Sequence, residues 1–243
     1  MALDKPIVSA VFFQADTIRG YRFWDEAGVL ANEYSKRFQS VNYGSPGVLY
    51  CSNPKDPGDI LLELRVGPSN IWLSYRAGVL LGRVQQESAR LVDWIARAIY
   101  VTQFSRLGLR VHMLWGSASL DQVMGQLRSR VLQTQNQGWD SLGNVTGGAL
   151  TVDVTRDRLT ARFSLAPVQS VQTQIQTKVP GIEQPPVIPE VRLPDYSIML
   201  DVDVVDNHTT DSIDIKPYLS QAIAFIDSRL VPSVAHRFAE EAP

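Results

Sequence analysis

The chain has 243 residues, of which 44% are hydrophobic and 20% are charged, and its formal net charge at pH 7 is −2. These values are typical of a globular protein with one large domain or two small ones. The slightly negative charge argues against a nucleic-acid partner, because proteins that bind nucleic acid usually carry a basic domain or stripe. The single cysteine, Cys51, excludes an intrachain disulfide bond and a thiolate metal cluster within one chain.

The N-terminal residues and the apolar runs do not predict a membrane protein. The stretch MALDKPIVSAVFFQAD has an early aspartate and lacks the long apolar core of a signal peptide. No run approaches the roughly 18 apolar residues that a membrane-spanning helix needs. We therefore expect a cytoplasmic protein with no membrane partner.

Hydrophobic periodicity and turn residues predict the elements of the first half. In chain order these are a strand at 6–16, a helix at 24–38, a loop at 41–59, a hairpin of strands at 60–66 and 71–75, a candidate strand at 79–84 and a helix at 86–104 with Gly108 as its stop signal.

A similar series of elements follows in the second half. It consists of a strand at 109–115, a helix at 120–135 capped by Ser119, a hairpin of strands at 149–155 and 158–166, a strand at 196–206 and a helix at 217–238. A long insertion rich in proline and glutamine, residues 167–195, separates the last two strands.

The order strand, helix, hairpin, helix thus occurs twice, over residues 1–108 and 109–243. This order predicts an α+β fold in one globular unit, with a mainly antiparallel sheet, helices packed on one face and an internal duplication. The alternative is that an α+β chain shows such an order by chance.

Three segments resemble a sporadically distributed, uncharacterised bacterial family of α+β proteins of about 250 residues. They are the opening strand PIVSAVFF, the strand LDVDVV, and the final helix with His236 and Phe238 near its end. The resemblance implies an α+β fold and a bacterial or phage origin, and it brings no catalytic residues. The proline-rich insertion departs from the family's pattern.

The stretch IMLDVDVVDNH contains a candidate metal site. Side chains alternate along a strand, so Asp201 and Asp203 share one face, with Cα atoms about 6.6–7 Å apart. Two carboxylates at that spacing can flank a divalent cation, and Asp206 or His208 could complete the ligand shell. The alternatives are an amphipathic strand with a solvated face, which we favour, and a polar contact with a partner. We assign no metal ligand.

No other pattern in the sequence predicts catalysis. The order Gly116-Ser117-Ala118-Ser119 lacks the second glycine of a nucleophile elbow, and no phosphate-binding glycine loop occurs. Cys51 lies in a predicted loop without a nearby base. His112 and His236 are predicted to be surface or half-buried polar groups. We therefore predict no catalytic, cofactor-binding or metal-binding residue and favour a binding protein over an enzyme.

The second half carries a modest basic surface, formed by Arg128, Arg130, Arg156, Arg158 and Arg162. A sheet that binds RNA or DNA would need exposed aromatic residues between such arginines for base stacking. Phe163 alternates inward, so the sequence does not predict that combination.

Three functions remain open. The first is a non-enzymatic binding or assembly protein of a bacterial or phage multi-component system, associated with antiviral defence or mobile elements. Residues 167–195 would be an arm that binds a protein partner or a second copy, although a surface loop is equally compatible. The second is a metal-dependent hydrolase or nuclease that uses Asp201, Asp203, Asp206 and His208. The third is a small-ligand-binding domain with a pocket between sheet and helices, lined by Trp72, Trp94 or Trp115.

Overall fold

The computed structural model describes residues 5–18, 20, 22–44, 48–132, 148–169, 191–210 and 212–239. Nine strands form one antiparallel sheet in the order β2-β3-β4-β5-β1-β6-β9-β8-β7. The strands are β1 (Ile7–Thr17), β2 (Phe38–Gly44), β3 (Val48–Pro54), β4 (Leu61–Val66), β5 (Asn70–Tyr75), β6 (Phe104–Ser117), β7 (Leu150–Arg156), β8 (Leu159–Gln169) and β9 (Tyr196–Asp206).

Helices complete the α+β fold. They are α1 (Phe23–Ser35), α2 (Leu81–Ala98), α3 (Leu120–Gln126), α4 (Lys216–Phe225) and α5 (Val231–Ala239). A π-helical segment, Leu127–Leu132, continues α3, and a second one, Ile226–Leu230, joins α4 to α5. No helix in the described part of the chain is both long enough and apolar enough to cross a bilayer.

One face of the sheet is apolar from edge to edge, because residues paired across antiparallel strands point to the same side. Val11 of β1 pairs with Tyr75 of β5 and with Val111 of β6, and Val111 pairs with Val202 of β9. All four side chains are buried. The removal of this apolar surface from water is the main stabilising contribution to the fold. We call this side the apolar face and the opposite side the polar face.

Two side-chain hydrogen bonds attach helices to the apolar face. The hydroxyl groups of Tyr75 and of Ser88 on α2 lie 2.7 Å apart. Tyr218 of α4 donates its hydroxyl proton to the backbone carbonyl of Val204 at 2.5 Å, and its ring lies 6.5 Å from the ring of Phe13. Both tyrosines are buried, so each hydrogen bond satisfies a hydroxyl that would be costly to leave without a partner.

One prediction about the first half is wrong, and a second is confirmed except at its end. The predicted loop at 41–59 contains most of the hairpin β2–β3, in which Leu49 and Cys51 are buried on the apolar face. Its prolines and glycines lie mainly between β2 and β3 and after β3 in the sequence. The predicted helix at 24–38 ends at Ser35, and Phe38 begins β2. Arg37 holds this turn, because its guanidinium donates two hydrogen bonds of 2.6 Å to Asp59.

The second predicted helix is also shifted. The run 79–84 is not a strand, because α2 begins at Leu81 and buries Leu81 and Val84 one turn apart. The helix ends at Ala98, and Tyr100 then adopts a left-handed backbone conformation with a φ of 58°. Gly108 is therefore not a helix stop and lies inside β6.

Other predictions are confirmed. The first strand, the hairpins β4–β5 and β7–β8, strand β9 and the helix after residue 216 form as predicted. The side chain of Ser119 caps α3 by accepting a hydrogen bond of 3.2 Å from the backbone N–H of Gln122. Residues 170–190 of the predicted arm lie outside the described residues.

Candidate binding surface on the polar face

The polar face carries two kinds of side chains in neighbouring regions. One is a cluster of stacked planar groups on β1, β5, β4 and β3, which we call the stacked cluster; its members are Phe12, Trp72, Arg65 and Tyr50. The other is a line of alternating charges across β6, β9, β8 and β7, which we call the ionic row; its members are Arg110, Asp203, Arg162 and Asp153. Strands β1 and β6 pair at the centre of the sheet and join the two regions.

The planar groups of the stacked cluster lie one beside the next. The rings of Phe12 and Trp72 are 5.8 Å apart with an interplanar angle of 25°. The guanidinium carbon of Arg65 lies 4.3 Å from the centre of the Trp72 ring and 5.2 Å from the centre of the Tyr50 ring. Such distances are typical of aromatic stacking and of cation–π contacts. The cluster is therefore held in place without burying its members fully.

Asp201 is paired with two cationic or potentially cationic groups. Arg110 donates hydrogen bonds of 2.8 and 2.6 Å to the two carboxylate oxygens, and Nε2 of His112 lies 3.3 Å from one of them, outside hydrogen-bonding geometry. Burial alone would raise the pKa of the Asp201 carboxyl, but His112 and Arg110 outweigh it and hold the pKa well below its usual range. Asp201 therefore serves as an ionised partner for Arg110.

Asp203 has a different environment although it shares the polar face. Its closest cationic group, the Arg106 guanidinium, is 4.0 Å away. Arg162 pairs directly opposite Asp203 in the sheet but hydrogen-bonds Asp153 instead, at 2.7 and 3.0 Å. Burial raises the pKa of the Asp203 carboxyl, the nearby charge of Asp201 adds to this effect, and the arginines oppose it.

The predicted acidic cluster is divided between the two faces. Asp201 and Asp203 share the polar face, as predicted. Asp206 points to the opposite side with 7% of its surface exposed, and it accepts a hydrogen bond of 2.9 Å from the backbone N–H of His208. Nδ1 of His208 lies 2.8 Å from the same carboxylate. Within the described ranges, no three His, Cys, Asp or Glu side chains are grouped so that they could hold a metal ion.

The remaining candidate residues are dispersed over the molecule. Cys51 is not in a loop but buried in β3, and burial raises the pKa of its thiol to about 12. Trp115 is buried in the core, and Trp94 lies partly exposed on α2, with its ring edge-on to the ring of Tyr34. His236 lies on α5, exposed to solvent. Only Trp72 among the three candidate tryptophans reaches the polar face.

Two depressions adjoin each other on the polar face and share Gln14 and Trp72. The central one has a volume of about 370 Å³ and is lined by Phe12, Gln14, Trp72, Arg106, Gly108, Arg110 and Asp203. The second has a volume of about 690 Å³ and extends over β5, β4, β3 and β2. Both volumes are within the range of about 300–1,000 Å³ that is usual for ligand pockets.

The sequence does not reveal the combination of aromatic and arginine side chains on this face. The aromatic residues are in the first half, whereas two of the four arginines, Arg110 and Arg162, are in the second half. The pairing of β1 with β6 brings Phe12 directly opposite Arg110. The only signal in the sequence is the polar alternation of each strand, which does not specify the partner strand.

Comparison with known proteins gives no similarity that could guide a functional assignment. No protein-family model matches the chain, and no curated protein sequence and no solved structure shows significant similarity to it. The resemblance to an uncharacterised bacterial family stays a prediction.

Proposed function

We propose that the protein is a non-enzymatic binding protein that recognises a protein partner through the polar face of its sheet. The observation that carries this proposal is the stacked cluster, in which Trp72, Arg65 and Tyr50 lie side by side on neighbouring strands. Tryptophan, tyrosine and arginine are the residues most enriched among those that dominate the binding energy of protein interfaces.

The preorganisation of this face supports binding. Arg65 is held between two aromatic rings, and Arg110 is held by two hydrogen bonds to Asp201. Side chains already fixed in the free protein lose less conformational entropy when a partner binds. A rigid sheet also positions them more accurately than a loop would.

The charge of the polar face favours a protein over a nucleic acid. Among the described residues the face carries four arginines and five carboxylates in or beside the two regions, namely Arg65, Arg106, Arg110 and Arg162 against Asp16, Glu63, Asp153, Asp201 and Asp203. A phosphate backbone requires an excess of cations. A near-neutral face of mixed charges instead complements a protein surface of mixed charges.

We further propose that every helix covers the apolar face and leaves the polar face open. The contacts of Ser88 on α2 and Tyr218 on α4 with the apolar face support this arrangement. So does the exposure of Arg110, whose side chain is 51% accessible at the centre of the sheet.

We also propose that the two halves are copies of one unit. The first half begins with the central strand β1, passes through α1 to the edge strand β2, and returns through β3 and β4 to β5, which pairs with β1. The second half follows the same path, from β6 through α3 to the edge strand β7 and back through β8 to β9, which pairs with β6. An alignment of related sequences tests this proposal. If the halves are copies, the same positions along β1 and β6 should be apolar or polar in the aligned sequences. Unrelated patterns along the two strands would contradict a duplication.

The setting in a bacterial or phage multi-component system, including antiviral defence, rests on the family resemblance alone. The role of residues 167–195 in self-association also stays a proposal. Light scattering on the full chain and on a variant lacking residues 170–192 tests it. An oligomer that becomes a folded monomer on deletion would support an assembly arm, and an unchanged molecular mass would contradict it.

A matched pair of tryptophan variants tests the binding face. Trp72 lies in the stacked cluster, whereas Trp24 is 62% exposed on α1. The tagged chain is purified from its source cells together with any protein that it captures. The captured protein is then prepared separately, and its affinity is measured for the wild-type chain and for the variants Trp72→Ala and Trp24→Ala. We expect Trp72→Ala to weaken binding by about 30-fold or more, since a central anchor contributes about 2 kcal/mol or more. Trp24→Ala should leave the affinity unchanged. Equal effects of the two variants would contradict the proposal.

A further inference from the structure

The central depression of the polar face lies beside Gly108, one of the residues that line it. Gly108 lies between Gln14 of β1 and Val205 of β9, in the same row as Trp72 of β5. A Cβ atom at position 108 would lie 3.3 Å from Nη1 and Nη2 of Arg106 and 3.4 Å from its Cζ. These nearly equal distances show that the guanidinium plane of Arg106 lies flat over the glycine.

Two charged groups in this depression retain free hydrogen-bonding capacity. Nη1 of Arg106 is 3.8 Å from Asp16 and its Nη2 is 4.0 Å from Asp203, and both distances exceed that of a hydrogen bond. Within the described chain neither Arg106 nor Asp203 makes a side-chain hydrogen bond. A cationic donor and a carboxylate acceptor therefore lie next to each other at the edge of an aromatic surface.

We propose that this depression binds a nucleobase-like ring, meaning a flat heteroaromatic ring with a hydrogen-bond acceptor and a donor side by side on one edge. The acceptor would receive a hydrogen bond from Arg106, and the donor would give one to Asp203. The ring would stack against Trp72 and Phe12. Stacking on aromatic rings and arginine planes, combined with hydrogen bonds to one edge, is the usual way in which proteins read an unpaired base.

The same residues indicate that the ring, and not a phosphate, supplies the affinity. The positive charge of Arg110 is balanced by the Asp201 carboxylate, to which Arg110 donates two hydrogen bonds. Arg106 faces the carboxylates of Asp16 and Asp203. A phosphate would meet this negative charge, so binding should depend only weakly on salt. The ring could belong to a free nucleoside or nucleotide, or to an unpaired base in a single strand. Both proposals use Trp72, but nucleoside binding is measured on the chain alone and is therefore tested without the protein partner.

Fluorine NMR of the full chain labelled with 5-fluorotryptophan tests the proposal, with the Trp72 signal assigned from Trp72→Phe. The probes are the four ribonucleosides, their monophosphates and a single strand of about ten nucleotides. We expect at least one nucleoside, added to a concentration of up to about 5 mM, to shift the Trp72 signal until the shift saturates. The Trp24 signal should not shift. The corresponding monophosphate should bind within about threefold of the nucleoside, and its affinity should change less than about twofold between about 50 and 200 mM salt.

Two carboxylate variants on the same face show whether nucleoside binding depends on the central depression or on the surrounding surface. Asp203→Ala removes the acceptor and should weaken nucleoside binding about tenfold or more. Asp153→Ala, outside the pocket, should leave binding unchanged. Urea unfolding of each variant confirms that it folds.

Three results would overturn the proposal. They are the absence of any nucleoside-induced shift of the Trp72 signal, equal binding by Asp203→Ala and wild type, and binding of the single strand alone with a steep salt dependence. Tight, weakly salt-dependent binding of the strand together with nucleoside binding would support the proposal and identify the strand as the source of the ring.

Discussion

The two faces of the sheet are built from the same strands, but one is held by apolar packing and the other by contacts between individual polar side chains. On β9, Leu200, Val202 and Val204 are buried on the apolar face, while Asp201 and Asp203 alternate with them on the polar face. Any apolar side chain of suitable size serves on the first face. On the second face a charged side chain can depend on one particular neighbour, as Asp201 depends on Arg110. The apolar face therefore determines whether the chain folds, and the polar face is the one that we propose to recognise a partner.

The largest expected effect comes from neighbouring residues of β9 on opposite faces. Leu200→Ala should lower the free energy of unfolding by about 2–5 kcal/mol, because it leaves a cavity in a fully buried site. Asp203→Asn should change it by no more than about 0.5 kcal/mol, because the raised pKa shows that the fold does not favour the ionised carboxyl. Urea titration at pH 7 measures both.

The outcome that would contradict this comparison is a reversal of the two effects. If Asp203→Asn destabilised the fold more than Leu200→Ala, the polar face would be a second core instead of an open surface.

A smaller effect is expected at Asp201, and it should depend on pH. The folded-state pKa of Asp201 lies below the unfolded value of about 3.9, so the pairing with Arg110 and His112 stabilises the fold above about pH 4. This contribution is lost as the pH falls through the unfolded and then the folded pKa. We expect Asp201→Asn to lower stability by about 1 kcal/mol at pH 7.

The difference between wild type and Asp201→Asn should then shrink below about pH 4. Urea titrations at several pH values measure it, with Asp203→Asn as the control. For that control the sign is opposite, since a raised pKa makes the ionised carboxyl unfavourable at neutral pH. A pH-independent difference for Asp201→Asn would show that the lost contribution is packing and not the charge pair.

The smallest expected effect is at the outer end of the ionic row. Arg162 and Asp153 hydrogen-bond each other, but both side chains are more than half exposed. Exposed ion pairs contribute little because water and salt screen them. Arg162→Ala should leave the urea midpoint unchanged while Leu200→Ala shifts it. A clear loss of stability in Arg162→Ala would mean that another surface covers this end of the polar face.

The elements that the sequence predicts well are those in which local periodicity and burial agree. Strands β9 and β5 show this agreement, because each buries alternate apolar residues between turn signals. Strand β4 follows the same alternation after a bulge near Leu61. The sequence does not predict the hairpin β2–β3, because its prolines and glycines indicate a loop. Leu49 and Cys51 form a strand because they pair with Val66 and Leu64 of β4. Tertiary contacts there override the local signal.

The candidate site was less predictable than the fold. The sequence places Asp201 and Asp203 on one face, but it does not show that Arg110 reaches Asp201 or that Phe12 lies beside Trp72. Those contacts depend on which strands pair and in which register, and one residue of slip would move each side chain to the other face. Gly108 illustrates the same point, since a residue that resembles a helix stop forms the floor of a pocket once β6 pairs with β1.

Hydroxyl-radical footprinting tests most directly whether the polar face is the recognition surface. It compares the oxidation of Trp72 and Trp24 in the free chain and in the complex with its protein partner. We predict that both tryptophans are oxidised in the free chain and that only Trp72 is protected in the complex. Protection of Trp24 with continued oxidation of Trp72 would place the interface at α1 and contradict the proposal.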